Sequence, residues 1–284
     1  MKQAFNIQDP MTSSSFPIAL SIAGSDSGGG AGIQADLKTF QAFGVFGTTA
    51  LTAVTAQNTL GVQAIHPIPV DVVRAQIDSV AGDLRPRAIK SGMLATSVLV
   101  TTVADAIRTH GLSSYVMDPV MVSTSGHRLL DEDAERALRE ELLPLASLVT
   151  PNLHEARILT GIHACDTDSM GEAARALVEL GAGAALVKGG HLDGGEVVDL
   201  FWDGTRELTW CRERVATTNT HGTGCTLSAA AAAAFARGLS LPEALDLALD
   251  FVARAISSAP DLGEGHGPVN HLAGTVFSPG ANPC

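Results

Sequence analysis

The stretch Asn219-Thr220-His221-Gly222-Thr223-Gly224-Cys225-Thr226-Leu227-Ser228 runs directly into six consecutive alanines, Ala229 to Ala234. Glycines and threonines ahead of so strong a helix former predict a turn whose backbone N–H groups point outward at a helix start, a ready site for an anion. The helix dipole adds roughly half a positive charge there. Cys225 falls in the first turn, where a thiol's pKa tends to fall. Read structurally, the same residues are a helix cap followed by a small buried cysteine. Side chains as small as alanine let the helix press close to its neighbours and hold the turn rigidly.

Other residue types suited to phosphate chemistry stand where elements end. Asp118 closes the strand Tyr115-Val116-Met117-Asp118 ahead of Pro119, and an acidic residue at the carboxyl end of a parallel strand is a usual place for Mg²⁺ or substrate. Asn152 and Glu155 have capping-box spacing, yet Glu155 would also lie beside Asp118 if their strands are neighbours, and two carboxylates suit a hydrated Mg²⁺. Lys188 leaves the strand Ala184-Ala185-Leu186-Val187-Lys188 at Gly189-Gly190, placed to reach phosphate oxygens as a point charge or simply exposed at the strand's end. No GxxxxGK[ST] loop is present, so phosphate handling would need another cradle, which Gly222 to Cys225 can supply.

The elements that must position these groups alternate along the chain. Ile18 to Ala23 reads as a buried strand, followed by the loop Gly24-Ser25-Asp26-Ser27-Gly28-Gly29-Gly30-Ala31-Gly32 and a helix from Ile33 to about Phe43. Gly30 to Ala35 fits the relaxed dinucleotide pattern GxGxxA, but the second strand, Gly47 to Ala56, ends in Gln57-Asn58 where that pattern wants an acid for the ribose. An NAD enzyme is therefore disfavoured. Asp36 and Gln57 fall at the same sheet edge as the glycine loop, and a planar heterocycle with ring nitrogens and an amino group needs such amides and carbonyls. Met93, after the strand beginning at Ala88, is core or packs on a ring.

Further helices are expected over Asp71–Val80, Ser97–Thr109, Asp131–Leu142, Met170–Leu180 and, behind the capping box Ser240-Leu241-Pro242-Glu243, to about Ser258. Turn signals at Asp193-Gly194-Gly195 and Asp203-Gly204 frame Val197–Trp202 and Glu207–Trp210 as antiparallel strands at one edge. About eight strands alternating with about eight helices, without long linker or repeat, predict one three-layer α/β/α domain with a mostly parallel sheet over residues 17–275. Residues 1–16 read as a flexible extension and 276–284 as a frayed tail.

Composition excludes several classes. The 284 residues carry 30 acidic and 18 basic side chains, a net charge of −12 that repels nucleic acid and anionic lipid. No apolar run is long enough to span a membrane, and no signal-peptide pattern opens the chain. Cys165, Cys211, Cys225 and Cys284 show no CxxC pair and read as reduced thiols in a cytoplasmic protein. His154-Glu155 begins an HExxH pattern, but Ile158 takes the second ligand position, which argues against zinc.

At this point a resemblance becomes specific. The runs Ala23 to Phe40, Thr150 to Ala156, Val187 to His191 and His221 to Thr226 resemble the hydroxymethylpyrimidine/phosphomethylpyrimidine kinases of thiamine biosynthesis, members of the ribokinase superfamily. The likeness covers about Pro17 to about His271, in the family's order and spacing. It implies a ribokinase-like fold and a homodimeric enzyme dependent on ATP and Mg²⁺. The enzyme would phosphorylate 4-amino-5-hydroxymethyl-2-methylpyrimidine and then its monophosphate. By the same resemblance Gly24, Asp36, Gln57, Met93 and Val120 hold the pyrimidine, and Asp118 and Glu155 sit on the metal side. Asn152, Glu155, Lys188 and His221 attend the nucleotide, and Gly222, Thr223, Gly224 and Cys225 form the anion hole.

Where the wider superfamily has Asp as base, this chain has Cys225. Either a thiolate favoured by the helix start accepts the hydroxyl proton, the reading preferred from sequence, or a loose transition state needs little base and Cys225 lines the pocket. Gly28 stands where relatives commonly carry serine, which predicts a looser loop. Two other readings stay open: a pyridoxal or pyridoxine kinase of the same superfamily, and a non-catalytic binder of thiamine precursors.

Overall fold

The computed structural model describes residues 16–121, 130, 132–190 and 195–274. The expected extension up to residue 15, the Asp193-Gly194 part of a turn, the helix start at Asp131 and the tail from 276 lie outside them. In chain order the first elements are β1 (Ile18–Ala23), α1 (Gly32–Ala42), β2 (Phe46–Leu51), β3 (Ala53–Asn58), β4 (Gly61–Pro67), α2 (Val70–Asp83) and β5 (Ala88–Ser91). Then come α3 (Ser97–His110), β6 (Tyr115–Met117), α4 (Glu132–Ala137) prolonged by a π-helical turn, β7 (Leu148–Val149) and α5 (Leu153–Thr160). The chain closes with α6 (Thr167–Glu179), β8 (Ala185–Lys188), β9 (Glu196–Trp202), β10 (Glu207–Glu213), α7 (Thr223–Ala236) and α8 (Leu241–Ser257).

Eight strands form one sheet in the order β10-β9-β8-β7-β6-β5-β1-β2. The six from β8 to β2 are parallel, and β9 and β10 run antiparallel at the edge. Both faces are covered, as a parallel sheet requires. Alternate strand residues such as Leu20, Ile89, Met117 and Val187 pack with α2 to α6, while Ala19, Val116, Leu148 and Leu186 pack with α1, α7 and α8. The result is the expected three-layer α/β/α arrangement with an antiparallel edge. Helix α7 lies against the sheet with Ala229 to Ala234 all fully buried, so the alanine run does bring the helix close on every side.

The second strand differs from the expectation. It breaks at Thr52, whose amide bonds to the Ala23 carbonyl at 3.0 Å and whose hydroxyl bonds to the Met93 carbonyl at 3.0 Å. Beyond it the chain leaves the main sheet, and β3 pairs antiparallel with β4, with a register shift at Ala56/Gln57. Asn58 to Gly61 form the tip of this two-stranded flap, which borders the sheet's carboxyl edge.

Candidate active site

Every parallel strand around the middle of the sheet delivers a loop to the same edge, the place where open α/β sheets bind ligands. A cavity of about 900 Å³ opens there. Its walls include Gly24 after β1, Gln57 on the flap, Met93 after β5, Asp118 and Val120 after β6, Asn152 and Glu155 after β7, Lys188 at the end of β8, and His221 to Cys225 leading into α7. The structure therefore brings together every residue singled out from sequence except Asp36, which lies beneath the floor with no exposure.

At the start of α7, Gly222 adopts φ +84°, and a Cβ there would stand 1.8 Å from the Gly30 carbonyl oxygen. Only glycine fits. The Thr223 amide and hydroxyl both bond back to the Thr220 carbonyl, at 3.2 and 2.7 Å. The amides of Gly222, Gly224 and Cys225 find no acceptor among the described residues and border the cavity. They are the donors that a helix start leaves for an anion. Gly224 faces Lys188 and Asp118: a Cβ there would lie 3.4 Å from Lys188 Nζ and 3.7 Å from Asp118 Oδ2.

The charged groups on the opposite wall form a chain. Lys188 Nζ donates to Asp118 Oδ1 at 3.3 Å, and the Ser228 hydroxyl of α7 donates to Asp118 Oδ2 at 3.2 Å. Burial disfavours the Lys188 charge, but the carboxylates of Asp118 and Glu155 outweigh it and raise its pKa. Asn152 and Glu155 make the expected capping box, Glu155 N–H to Asn152 Oδ1 at 2.9 Å and Asn152 N–H to Glu155 Oε2 at 2.8 Å. Since β6 and β7 are neighbours, the capping carboxylate also stands in the field of Asp118. Burial pushes Glu155 up to about 7, Lys188 opposing and Asp118 adding to the rise. Two carboxyl groups that share a single ammonium, Lys188, fit Mg²⁺, which binds through one or two carboxylates and completes its shell with water and phosphate oxygens. No cluster of three or more His, Cys, Asp or Glu suited to a metal occurs among the described residues.

Cys225 corrects an expectation. Although the residue retains some exposure, the protein packed around its thiol pushes it up to about 11, and Lys90 and the Gly32 amide only partly offset this. Desolvation overrides the helix start, because the dipole's effect is small beside the loss of water around a would-be anion.

Sequence reasoning missed two residues. Lys90, on β5, is completely buried at the cavity floor, with Nζ 3.0 Å from both carboxylate oxygens of Asp36. The Ser21 hydroxyl donates to Asp36 Oδ2 at 2.5 Å. Burial raises Asp36 against the pull of Lys90. For Lys90, Asp36, Cys225 and Asp118 outweigh burial and hold the ammonium above the ordinary lysine range. The doubly contacted geometry is that of an ion pair. Asp36 is thus the counter-ion of a floor cation; its carboxylate does not line the cavity.

The second missed residue is Asp26. Its carboxylate accepts from the amides of Gly28 (2.8 Å), Gly30 (3.0 Å) and Ala31 (2.8 Å) and from His221 Nε2 (2.8 Å). Burial alone would raise Asp26, but these bonds hold it below the usual carboxylate range. Amides that could otherwise cradle a phosphate are already taken by an internal anion. This is the physical reason that the GxGxxA run is no dinucleotide loop. It also makes the loop tighter than its three consecutive glycines suggested.

The sequence matches the family described as phosphomethylpyrimidine kinase over residues 26–270. The chain belongs to the phosphomethylpyrimidine kinase family. It is 53% identical over 258 residues to a hydroxymethylpyrimidine/phosphomethylpyrimidine kinase of Rhizobium meliloti, covering 90% of this chain and 97% of that protein. The ADP complex of a pyridoxal kinase from Bacillus subtilis superposes with a TM-score of 0.86 at 41% identity, covering 91% of this chain and 98% of the other. A phosphomethylpyrimidine kinase from Clostridium difficile superposes with a TM-score of 0.76 at 39% identity, covering 84% and 99%. The fold of this family member is ribokinase-like, as its sequence led one to expect.

Proposed function

We propose that the chain transfers the γ-phosphoryl group of ATP to the hydroxymethyl group of 4-amino-5-hydroxymethyl-2-methylpyrimidine. A second transfer to the monophosphate then gives the diphosphate required for thiamine diphosphate synthesis. The observation carrying this reading is one cavity whose lining joins an amide-lined helix start, flanked by Lys188 and Asp118, with Gly24, Gln57 and Met93. Gly24 and Met93 meet closely there; a Cβ on Gly24 would lie 2.8 Å from Met93 Cε, so a flat ring has a shaped wall on which to rest.

Phosphoryl transfer asks mainly for positioning and for donors at the developing charge. The amides of Gly222, Gly224 and Cys225 supply donors that need no reorganisation. Lys188 adds a point charge held beside Asp118, and Asn152 borders the nucleotide side, whereas the His221 side chain turns to Asp26 and Gln57 instead. Mg²⁺, held by Asp118 and Glu155, supplies further neutralisation of phosphate charge when bound. With its thiol pushed up to about 11, Cys225 acts as an amide donor and pocket wall rather than as the base. In the first transfer the acceptor oxygen–phosphorus bond forms as the bond to ADP breaks, and the hydroxyl proton passes late to an oxygen of the transferred phosphoryl group, from which solvent takes it.

The reading extends to a homodimer, to residues 17–275 as one kinase domain and to the cytoplasm, where ATP is abundant. Light scattering, limited proteolysis and fractionation test these in turn. No helix among the described residues is long and apolar enough to cross a membrane.

The likeness to a pyridoxal kinase favours a second acceptor, since pyridoxal is also a flat heteroaromatic bearing a hydroxymethyl group. Initial rates with pyrimidine and pyridoxal at equal concentrations decide between them. A higher kcat/KM for the pyrimidine is expected; a preference for pyridoxal would reassign the substrate.

A further inference from the structure

The glycine-rich loop and the anion hole are mechanically one piece. Gly222 leaves no room for a side chain beside the Gly30 carbonyl, and a Cβ on Gly30 would in turn lie 2.6 Å from His221 Cδ2. Two backbone segments some 190 residues apart in sequence are thus in direct contact, and side chains tie them together as well: the Asp26 carboxylate is bonded to His221 Nε2 at 2.8 Å, and the Gly32 amide bonds to the Cys225 thiol at the cavity end. Asp26 is 2% exposed. Its remaining acceptor capacity goes to the three loop amides, so it bears a full set of partners.

On one side of this junction lies the ring site. Ser25, next in line to Asp26, donates its amide to the Ala53 carbonyl at 2.9 Å, and the Ser25 hydroxyl accepts from the Thr55 amide at 3.1 Å. The Gln57 side chain reaches within 3.4 Å of the same His221 nitrogen. On the other side, His221 immediately precedes Gly222. Its backbone is pinned on both sides, its amide to the Gly267 carbonyl at 3.0 Å and its carbonyl to the Val269 amide at 3.2 Å. A shift of the loop that holds the acceptor ring must therefore move the amides that receive the phosphoryl group, and the reverse.

We infer that Asp26 and His221 are positioning residues for the transfer, a strut that fixes the distance between the acceptor's hydroxymethyl group and the anion hole. The inference rests on the kinase reading above and adds to it the residues that set its geometry. Neither side chain takes part in bond making. Because a misplacement of about 1 Å costs on the order of a hundredfold in rate, loss of the strut lowers kcat while leaving ATP affinity nearly intact. It also lets water compete for the phosphoryl group, converting ATP and water to ADP and inorganic phosphate.

The test compares Asp26→Asn, His221→Leu, His221→Gln and the Asp26→Asn/His221→Leu pair with wild type. It measures kcat, KM for ATP and the ratio of ADP formed to acceptor phosphorylated. Expected are kcat losses of roughly 10- to 100-fold for Asp26→Asn and His221→Leu, with KM for ATP within about twofold and an ADP-to-product ratio rising above one. The double variant should be no worse than the poorer single within about threefold. His221→Gln, whose amide can still donate to Asp26, should recover most of the loss. Multiplying losses, or an unchanged ratio with kcat falling only in proportion to folded protein, would overturn the inference. Should Asp26→Asn fail to fold, the contrast between His221→Leu and His221→Gln carries the same decision. The comparison uses whichever heteroaromatic acceptor the wild type phosphorylates. An error in the pyrimidine assignment then appears in the wild type, and an error in the strut only in the variants.

Discussion

Replacing Lys90 by methionine tests whether the floor of the site is held by charge. The side chains are similar in length, so packing is largely kept, but the fully buried Asp36 carboxylate loses an ammonium 3.0 Å from both its oxygens. Ser21, donating at 2.5 Å, is then its remaining side-chain partner. Breaking a buried pair by removing one member costs roughly 3–5 kcal/mol, because a charge is left uncompensated away from water. At about 2–4 °C per kcal/mol for a domain of comparable size, the melting temperature should fall by roughly 6–20 °C. Removing both charges with Lys90→Met/Asp36→Leu should restore stability to within about 1 kcal/mol of wild type or better, since a buried pair is seldom a net stabiliser. The restored protein should still be slow, for it lacks the cation beside Cys225 and Asp118. Thermal and urea unfolding of wild type, Lys90→Met, Asp36→Leu and the double variant, with kcat for each, make the cycle. A Lys90→Met protein within about 1 kcal/mol of wild type, or a double variant no more stable than the single, would refute the reasoning.

Three further outcomes follow from the site and its supports. In a background with the other cysteines replaced by serine, Cys225 should react with iodoacetamide roughly a hundredfold more slowly at pH 8 than a free thiol, its rate climbing toward pH 11. Cys225→Ser should then keep kcat within about tenfold, whereas a larger loss, in the 10²–10⁴ range, would restore the general-base role. Gly222→Ala should cut kcat by more than about a hundredfold, as its methyl must displace the Gly30 carbonyl and with it the helix-start amides; steady-state kinetics on folded protein would show it. Buried His271, bonded to Thr226 at 3.0 Å, is pushed down to about 4 by burial and by the positive charges of Lys38 and His221. Its neutral form belongs to the fold, so its contribution is present above about pH 6.5 and is lost as pH falls through about 4. Urea midpoints across pH 4–7 should slope less in His271→Asn than in wild type, and parallel curves would contradict the assignment.

Much of the architecture could be read from the chain because local and global signals agree. The apolar strand Ile18–Ala23, the Asn152/Glu155 and Ser240/Glu243 capping boxes and the antiparallel pair β9 and β10 joined at Asp203-Gly204 each appear where composition and spacing place them. The flap was only half legible. Its strand β4 is mostly exposed, without the alternation of burial that marks a half-buried strand, and the break at Thr52 depends on carbonyls of Ala23 and Met93 that are remote in sequence.

The free amides at the start of α7 were legible for the opposite reason, as they lie within a few residues of one another. Lys90 and Asp26 were not. A lysine inside the apolar strand Ala88–Ser91 and an aspartate inside helix α1 are each anomalous alone, but only the fold shows that they neutralise each other. For Asp26 a signal did exist. A carboxylate just ahead of a glycine run commonly gathers the amides that follow it, which would have argued against a phosphate loop before any coordinates.

The account as a whole turns on where the phosphoryl group goes. Incubating the purified protein with ATP, Mg²⁺ and 4-amino-5-hydroxymethyl-2-methylpyrimidine, then weighing the products by mass spectrometry, follows that group directly. The site described here predicts the pyrimidine monophosphate early and the diphosphate later, each phosphoryl group added matched by one ADP. Unchanged pyrimidine beside ADP and inorganic phosphate, or no consumption of ATP at all, would contradict it.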